Sequence, residues 1–324
     1  MSKLTYLPPV RGIGYLRISL TDACNFKCRY CRKYDPTSPS PGLSKEEINL
    51  LVKVFSECGL KTVRFTGGEP LLRNDIVDIV ASVGDYVEDV SLTTNGFFLK
   101  KFAKPLKEAG LNRLNVSLDS LNPEKFRYLT GGGDLSKVLE GLEEAKRHFG
   151  GIKINTVAIK GFIEDEIDDL LMFCADNGFH LRFIELMPVG NLPFFGEDRF
   201  LPLDWVFSYI GDRYGELIPL DRTGSGASKD YLLPSLGIKV GFIKSVTEPF
   251  CEGCEKFRVT ADGKLHFCLR TDREFDLKPY LRSEKKLREI IPTLLRLKSE
   301  NNAFIEASGF GWFADKRTMV KIGG

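Results

Sequence analysis

Residues 15–31 read YLRISLTDACNFKCRYC: a short apolar run, then three cysteines within eight residues. YLRISLT (15–21) reads as a short apolar strand, and the cysteines sit immediately after it. The pattern then recurs. TVRFTG (62–67), VSLTTN (90–95), RLNVSLD (113–119), IKINTVAI (152–159) and LRFIELM (181–187) are further strand-like runs, separated by amphipathic stretches. Their Val, Ile and Phe content suits strands covered on both faces of a parallel sheet. In SKEEINLLVKVFSECG, Ser44 is placed as an N-cap with Glu47 three residues on. EDEIDDLLMFCADNG ends at Gly178, a C-terminal stop signal.

Six consecutive β-α units predict right-handed crossovers and either a barrel or a doubly wound sheet. Glycines and polar residues cluster just after the strands, in TGGEP, TTNG, SLDS and ELMPVG. That end of the strands carries the chemistry in both architectures. No Gly-x-Gly-x-x-Gly turn opens a helix, so the sequence favours an α/β fold with an incomplete (βα)6 TIM-type barrel over 1–187. A C-terminal region, 188–324, follows. In it, TGSGASK (223–229) reads as a mobile loop, KDYLL and IKVGFIKS as strands, and Ala261-Asp262-Gly263-Lys264 as the turn of a hairpin. Basic helical stretches come after it.

The 324 residues carry a formal net charge of +2, with 43% hydrophobic and 28% charged residues. That charge is too small to argue for a nucleic-acid or membrane surface. The N-terminus lacks the pattern of a signal peptide and no run reaches transmembrane length. The expectation is a soluble cytoplasmic protein. In a reducing compartment its eight cysteines are not expected in disulfides. Cys58 and Cys174 stand alone in helix-like stretches and read as small buried residues. The other six form two triplets, Cys24/Cys28/Cys31 and Cys251/Cys254/Cys268.

Three thiolates can hold three irons of a [4Fe-4S] cubane and leave the fourth open to a chelating ligand. A zinc site completed by a histidine is the alternative for either triplet, with His266 inside the second. Arg17, Arg64, Lys153 and Arg182 all fall on strand-like runs. Cations pointing into a barrel need anions, either a phosphate chain or internal carboxylates such as Glu69 and Asp119.

The loop Thr21–Cys31, with Tyr30 before its third cysteine, resembles the cluster loop of radical S-adenosylmethionine (SAM) enzymes. Thr66-Gly67-Gly68-Glu69-Pro70 is similar to their segment along the SAM amino group. With the second triplet, Arg64, LTTNG (92–96), NVSLD (115–119), KINT (153–156), RFIELM (182–187) and the Gly323-Gly324 ending, the chain resembles the GTP 3′,8-cyclase family of molybdenum cofactor biosynthesis. The likeness runs from Arg17 to Gly324.

That resemblance implies two [4Fe-4S] clusters, on Cys24, Cys28, Cys31 and on Cys251, Cys254, Cys268. It implies SAM contacts from Tyr30, Gly68, Ser117 and Met187, and GTP contacts from Arg17, Arg64, Thr93, Lys153, Arg182, Lys256 and Arg258. The tail, Gly323 and Gly324, would approach the active site. The reaction implied is reductive SAM cleavage to a 5′-deoxyadenosyl radical, hydrogen abstraction from C3′ of GTP, attack of the C3′ radical on guanine C8, and reduction of the resulting radical by one electron and one proton; the guanine would sit on the open iron of the second cluster. The product is 3′,8-cyclo-7,8-dihydro-GTP, and no side chain need act as a general base in the hydrogen abstraction, which the 5′-deoxyadenosyl radical performs. The implied partners are a reduced flavodoxin or ferredoxin-type electron donor and the downstream cyclic pyranopterin synthase, with a homodimer left open. One element departs from the family: Lys256 stands where an arginine is usual, in Glu255-Lys256-Phe257-Arg258. Two rival readings are another radical SAM enzyme with an auxiliary cluster, such as a peptide maturase or nucleotide-acting paralogue, and a zinc-stabilised barrel that binds nucleotides or RNA.

Overall fold

The computed structural model describes residues 12–31, 40, 42–189, 194, 198–221, 226–249, 254–309, 311–312 and 318–322. The six strands read from the sequence form in order: β1 Tyr15–Ser19, β2 Thr62–Thr66, β3 Asp89–Thr94, β4 Arg113–Ser117, β5 Lys153–Ala158 and β6 His180–Glu185. Each pairs in parallel with the next. Helices α1 (Lys45–Ser56), α2 (Ile76–Val83) and α3 (Leu99–Glu108) connect the first four strands. Two helices, α4 (Pro123–Thr130) and α5 (Leu135–Lys146), separate β4 from β5, and α6 (Ile167–Asn177) precedes β6.

The local signals act as read. Ser44 and Glu47 form a reciprocal capping box at the start of α1. Gly178 takes the left-handed conformation that ends α6, at φ 65°. Cys174 is fully buried in α6. Cys58 differs slightly from expectation: it is half-buried in the turn after α1, where its thiol contacts the Val54 carbonyl.

The sheet does not stop at six strands. After α7 (Leu203–Tyr214) come β7 (Ile218–Pro219), β8 (Lys229–Leu233) and β9 (Ile238–Ile243); then β10 (Lys256–Val259), β11 (Lys264–His266) and β12 (Glu274–Asp276). β9 pairs in parallel with β6, and β10 in parallel with β1. The expected hairpin is β10–β11. Among the described residues one sheet runs β12-β11-β10-β1-β2-β3-β4-β5-β6-β9-β8-β7. Residues from β10 at one flank and from β8 and β9 at the other line a single cavity, so the sheet curls around it without closing. Leu16, Ile18, Val63, Phe65, Val116 and Ile154 are fully buried among the alternate positions that face the helices.

The last long helix, α8 (Glu284–Ala307), is tied to α1 by Lys53–Glu284 at 2.9 Å and by the Arg288–Glu57 pair. No described helix is long and apolar enough to cross a membrane. The TGSGASK loop lies partly outside the described residues, as do Cys251, Gly323 and Gly324.

Candidate active site

The cavity, of about 410 Å³, lies at the centre of the curled sheet. Cys24, Cys28 and Cys31 stand at its edge, carried there by the loop after β1. Burial, and after it the neighbouring charges of Cys31, Asp119 and Cys24, hold the Cys28 thiol well above its usual value. Three thiolates so placed oppose one another until a cation compensates them. No three described His, Cys, Asp or Glu side chains converge on a single-ion site. His148 Nε2 bonds to Glu144 at 2.9 Å, His180 lies 3.7 Å from Asp230 with its imidazole held neutral by burial, and His266 lies 3.2 Å from Glu274. Three thiols on one loop are the donor set of an open iron–sulfur cluster.

The glycines of TGGEP have a role beyond approach to a ligand. A Cβ on Gly68 would stand 2.2 Å from the Ala23 carbonyl oxygen, and one on Gly67 2.5 Å from that of Thr21. Gly68 N–H donates to Thr21 O at 2.6 Å and Glu69 N–H to Ala23 O at 2.8 Å. The cysteine loop thus rests directly on the glycine loop. Glu69 is fully buried, with its carboxyl pushed up to about 7 by burial despite three hydrogen bonds. It accepts from Thr94 Oγ1 and Asn95 N–H, both at 2.7 Å. Asn95 Nδ2 in turn donates to Asn25 at 2.8 Å and lies 3.9 Å from Cys24 Sγ. Tyr30 donates its hydroxyl proton to Asp119 at 2.6 Å, while Val157 N–H donates to the other Asp119 oxygen. Tyr30, Gly68, Ser117 and Met187 all line the cavity.

The cations line it too: Arg17, Arg64, Lys153, Arg182, Lys256 and Arg258, with Thr93 among them. Arg258, Arg17 and Arg64 are successive Cα partners on β10, β1 and β2. Like charges at one register level repel across a sheet. Burial first, then Arg258, drives the Arg17 guanidinium well below its usual range. Burial likewise lowers Arg258, and brings Lys153 and Lys256 each to about 8. Arg17 Nε and Arg258 Nη1 are buried without a hydrogen-bond partner. Glu69 and Asp119 do not serve as their counter-ions; those carboxylates hold the loops instead. A polyanion entering the cavity would satisfy this row.

Asp230 was not singled out in the sequence. It sits on β8, 3.3 Å from Arg182. Its signal was a carboxylate inside a strand-like run, KDYLL. Of the second triplet, Cys254 and Cys268 are described. Cys254 lies two residues before β10 and Cys268 two residues after β11, the strand pair whose Lys256 and Arg258 line the cavity. Burial acts to raise the Cys254 thiol, but Lys298 and the backbone at Lys256 more than offset it and bring it below its usual value.

A curled parallel sheet with a three-cysteine loop after its first strand defines a radical SAM protein, and residues 18–174 match the Radical SAM superfamily. Residues 179–304 match Molybdenum Cofactor Synthesis C. A GTP 3′,8-cyclase of Alkaliphilus oremlandii (strain OhILAs) is 40% identical over 327 residues, 97% of this chain and 98% of that protein. One from Listeria monocytogenes serovar 1/2a (strain ATCC BAA-679 / EGD-e) is 41% identical over 324 residues, 96% of each. The chain belongs to the GTP 3′,8-cyclase family. Its fold is shared with the crystal structure of Streptococcus suis SuiB bound to precursor peptide SuiA, at TM-score 0.65 and 15% identity over 96% of this chain and 71% of that one.

Proposed function

We propose that this chain is a lyase that converts GTP to 3′,8-cyclo-7,8-dihydro-GTP in the first step of molybdenum cofactor biosynthesis. The observation that carries the reading is the register of Arg258, Arg17 and Arg64, three cations in one row facing a cavity edged by the Cys24/Cys28/Cys31 loop. With a [4Fe-4S] cluster and SAM bound, the site would supply the 5′-deoxyadenosyl radical that takes hydrogen from C3′ of GTP.

The chain's own residues hold and orient. Arg17, Arg64, Lys153, Arg182, Lys256 and Arg258, with Thr93, would bind GTP. Tyr30, Gly68, Ser117 and Met187 would bind SAM, with Asp119 fixing Tyr30. The thiols of Cys251, Cys254 and Cys268 would hold a second cluster beside the guanine. Met319, on a short 3₁₀ turn, lines the same cavity, which supports entry of Gly323 and Gly324. Holding C3′ and C8 in register, with SAM and GTP filling the cavity, would supply the rate advantage. A reduced flavodoxin or ferredoxin-type protein would donate the electron, and cyclic pyranopterin synthase would take the product, in the cytoplasm.

The test is anaerobic incubation with reductant, SAM and each nucleoside triphosphate in turn, followed by mass spectrometry. Methionine, 5′-deoxyadenosine and an isomer of GTP, formed with GTP alone, are expected. SAM cleavage driven by another nucleotide, and not by GTP, overturns the reading.

A further inference from the structure

Helix α8 turns a stripe of Leu287, Ile291 and Leu294 into the core, and the next position of that stripe is Lys298. A lysine at such a position ordinarily swings its ammonium out to water. Here the residue is only 1% exposed. Its Nζ donates to the Phe267 carbonyl, lies 3.7 Å from Cys254 Sγ and stands 5.6 Å from the centre of the Phe257 ring. Among the described residues no carboxylate pairs with it. One turn further along, Asn302 Nδ2 donates to the Cys254 carbonyl at 3.2 Å. Two residues four apart on one helix face thus converge on one cysteine.

A buried ammonium is costly without an anion. The partner the fold offers is sulfur, Cys254 Sγ at 3.7 Å, which is anionic when it ligates iron. We propose that Lys298 is a positioning residue of the second cysteine triplet: its ammonium offsets the negative charge of the Cys254 thiolate and raises the reduction potential of the cluster held there. This rests on the reading of Cys251, Cys254 and Cys268 as cluster ligands. An N–H···S contact and a fixed positive charge both favour the more negative, reduced state of an iron–sulfur centre. The bond to the Phe267 carbonyl also fixes Lys298 to the strand end that leads into Cys268.

The test uses the full chain with Cys24, Cys28 and Cys31 replaced by alanine, so that only the second cluster remains. Lys298→Met removes the charge at similar length, Lys298→Gln removes it but keeps a donor for Phe267, and Lys298→Arg keeps it. Iron and sulfide are counted, folding is checked by circular dichroism, and the midpoint potential is followed by electron paramagnetic resonance. The expected result is a lower potential in Lys298→Met and Lys298→Gln, with Lys298→Arg near the parent. If neutral variants fold but lose the cluster while Lys298→Arg retains it, the same need for charge is seen in cluster retention. An unchanged potential in Lys298→Gln, or loss of the cluster in all three variants, overturns the proposal and leaves Lys298 a packing residue. If the parent with Lys298 intact holds no iron, it is the ligand reading of the triplet that fails.

Discussion

Arg182 and Asp230 form an ion pair, Nη2 to Oδ2 at 3.3 Å, across a strand that lies between them. Gly241 of β9 is the Cα partner of Arg182 on one side and of Asp230 on the other. A Cβ there would come within 2.4 Å of Ser228 Oγ, 2.5 Å of Asp230 Oδ1 and 2.9 Å of Arg182 Cγ. The pair exists because nothing stands between its members.

Asp230→Asn therefore frees Arg182 from its tether. GTP binding should weaken through the lost orientation of Arg182, by less than the roughly 1–3 kcal/mol of a lost charged hydrogen bond, because the neutralised carboxylate no longer competes for the guanidinium. Gly241→Ala should act in the same direction by displacing both partners. Isothermal titration with GTP and with SAM separates the effect: SAM affinity stays, GTP affinity falls. Equal loss of both ligands would mean general damage to the sheet.

Lys153 gives a pH signature. Burial, and then the Arg182 and Arg113 guanidiniums, lower its ammonium to about 8 from 10.5. Below that pH it is charged and can hold an anion; above it, binding GTP requires proton uptake. GTP affinity should fall as pH rises through about 8. The ligand-free protein responds in the opposite sense. Its unfolded chain binds the proton more tightly, so this group's contribution to stability improves between about 8 and 10.5. Lys153→Arg should flatten the binding profile, because a guanidinium keeps its proton.

Gly68→Ala should empty the first cysteine triplet without touching the second. The added methyl would meet backbone, the Ala23 carbonyl, so the cysteine loop itself has to move. Iron content should fall by about half and SAM binding should vanish. Gly150→Ala, where a Cβ meets nothing within 4 Å, is the control. It should be neutral or stabilise by up to about 1 kcal/mol.

Lys256 lies beside Tyr15 in register and lines the cavity, with its ammonium lowered to about 8 by burial. Lys256→Ala should weaken GTP binding by about 1–3 kcal/mol. Lys256→Arg should retain turnover and tighten GTP, since the fork offers several fixed donors. Binding measured with clusters quantified in each variant decides it. An alanine variant matching the parent would remove Lys256 from the substrate's contacts.

Much of this site was legible because its signals are local. β1 to β6 show themselves by runs of apolar residues, and the first triplet by seven residues of spacing. The placing of β9 and β10 was not legible. A parallel pair between β1 and β10 leaves no mark on either segment, since the partners are remote and their hydrogen bonds are generic. Asp230 escaped for the same reason: it meets Arg182 only because β9 inserts between β6 and β8. Lys298 was legible in principle. Its spacing from Leu287, Ile291 and Leu294 puts it on the apolar stripe, but a helix rich in lysine and arginine invites the reading of a solvated face.

The docking of β10 against β1 also sets an order of assembly. These partners are separated by on the order of 240 residues, the kind of non-local contact that forms late. At about 5–20 residues per second, β1 leaves the ribosome tens of seconds before β10 exists. For that interval β1 presents an open edge, and an unpaired parallel edge is a template for unwanted association. The Cys24, Cys28 and Cys31 thiols are exposed to metal and oxidant throughout it, while the Cys254 and Cys268 thiols have not yet been made. The first triplet is therefore complete in the nascent chain well before the second, which is complete only once Cys268, beyond the strand that covers the open edge, has been made.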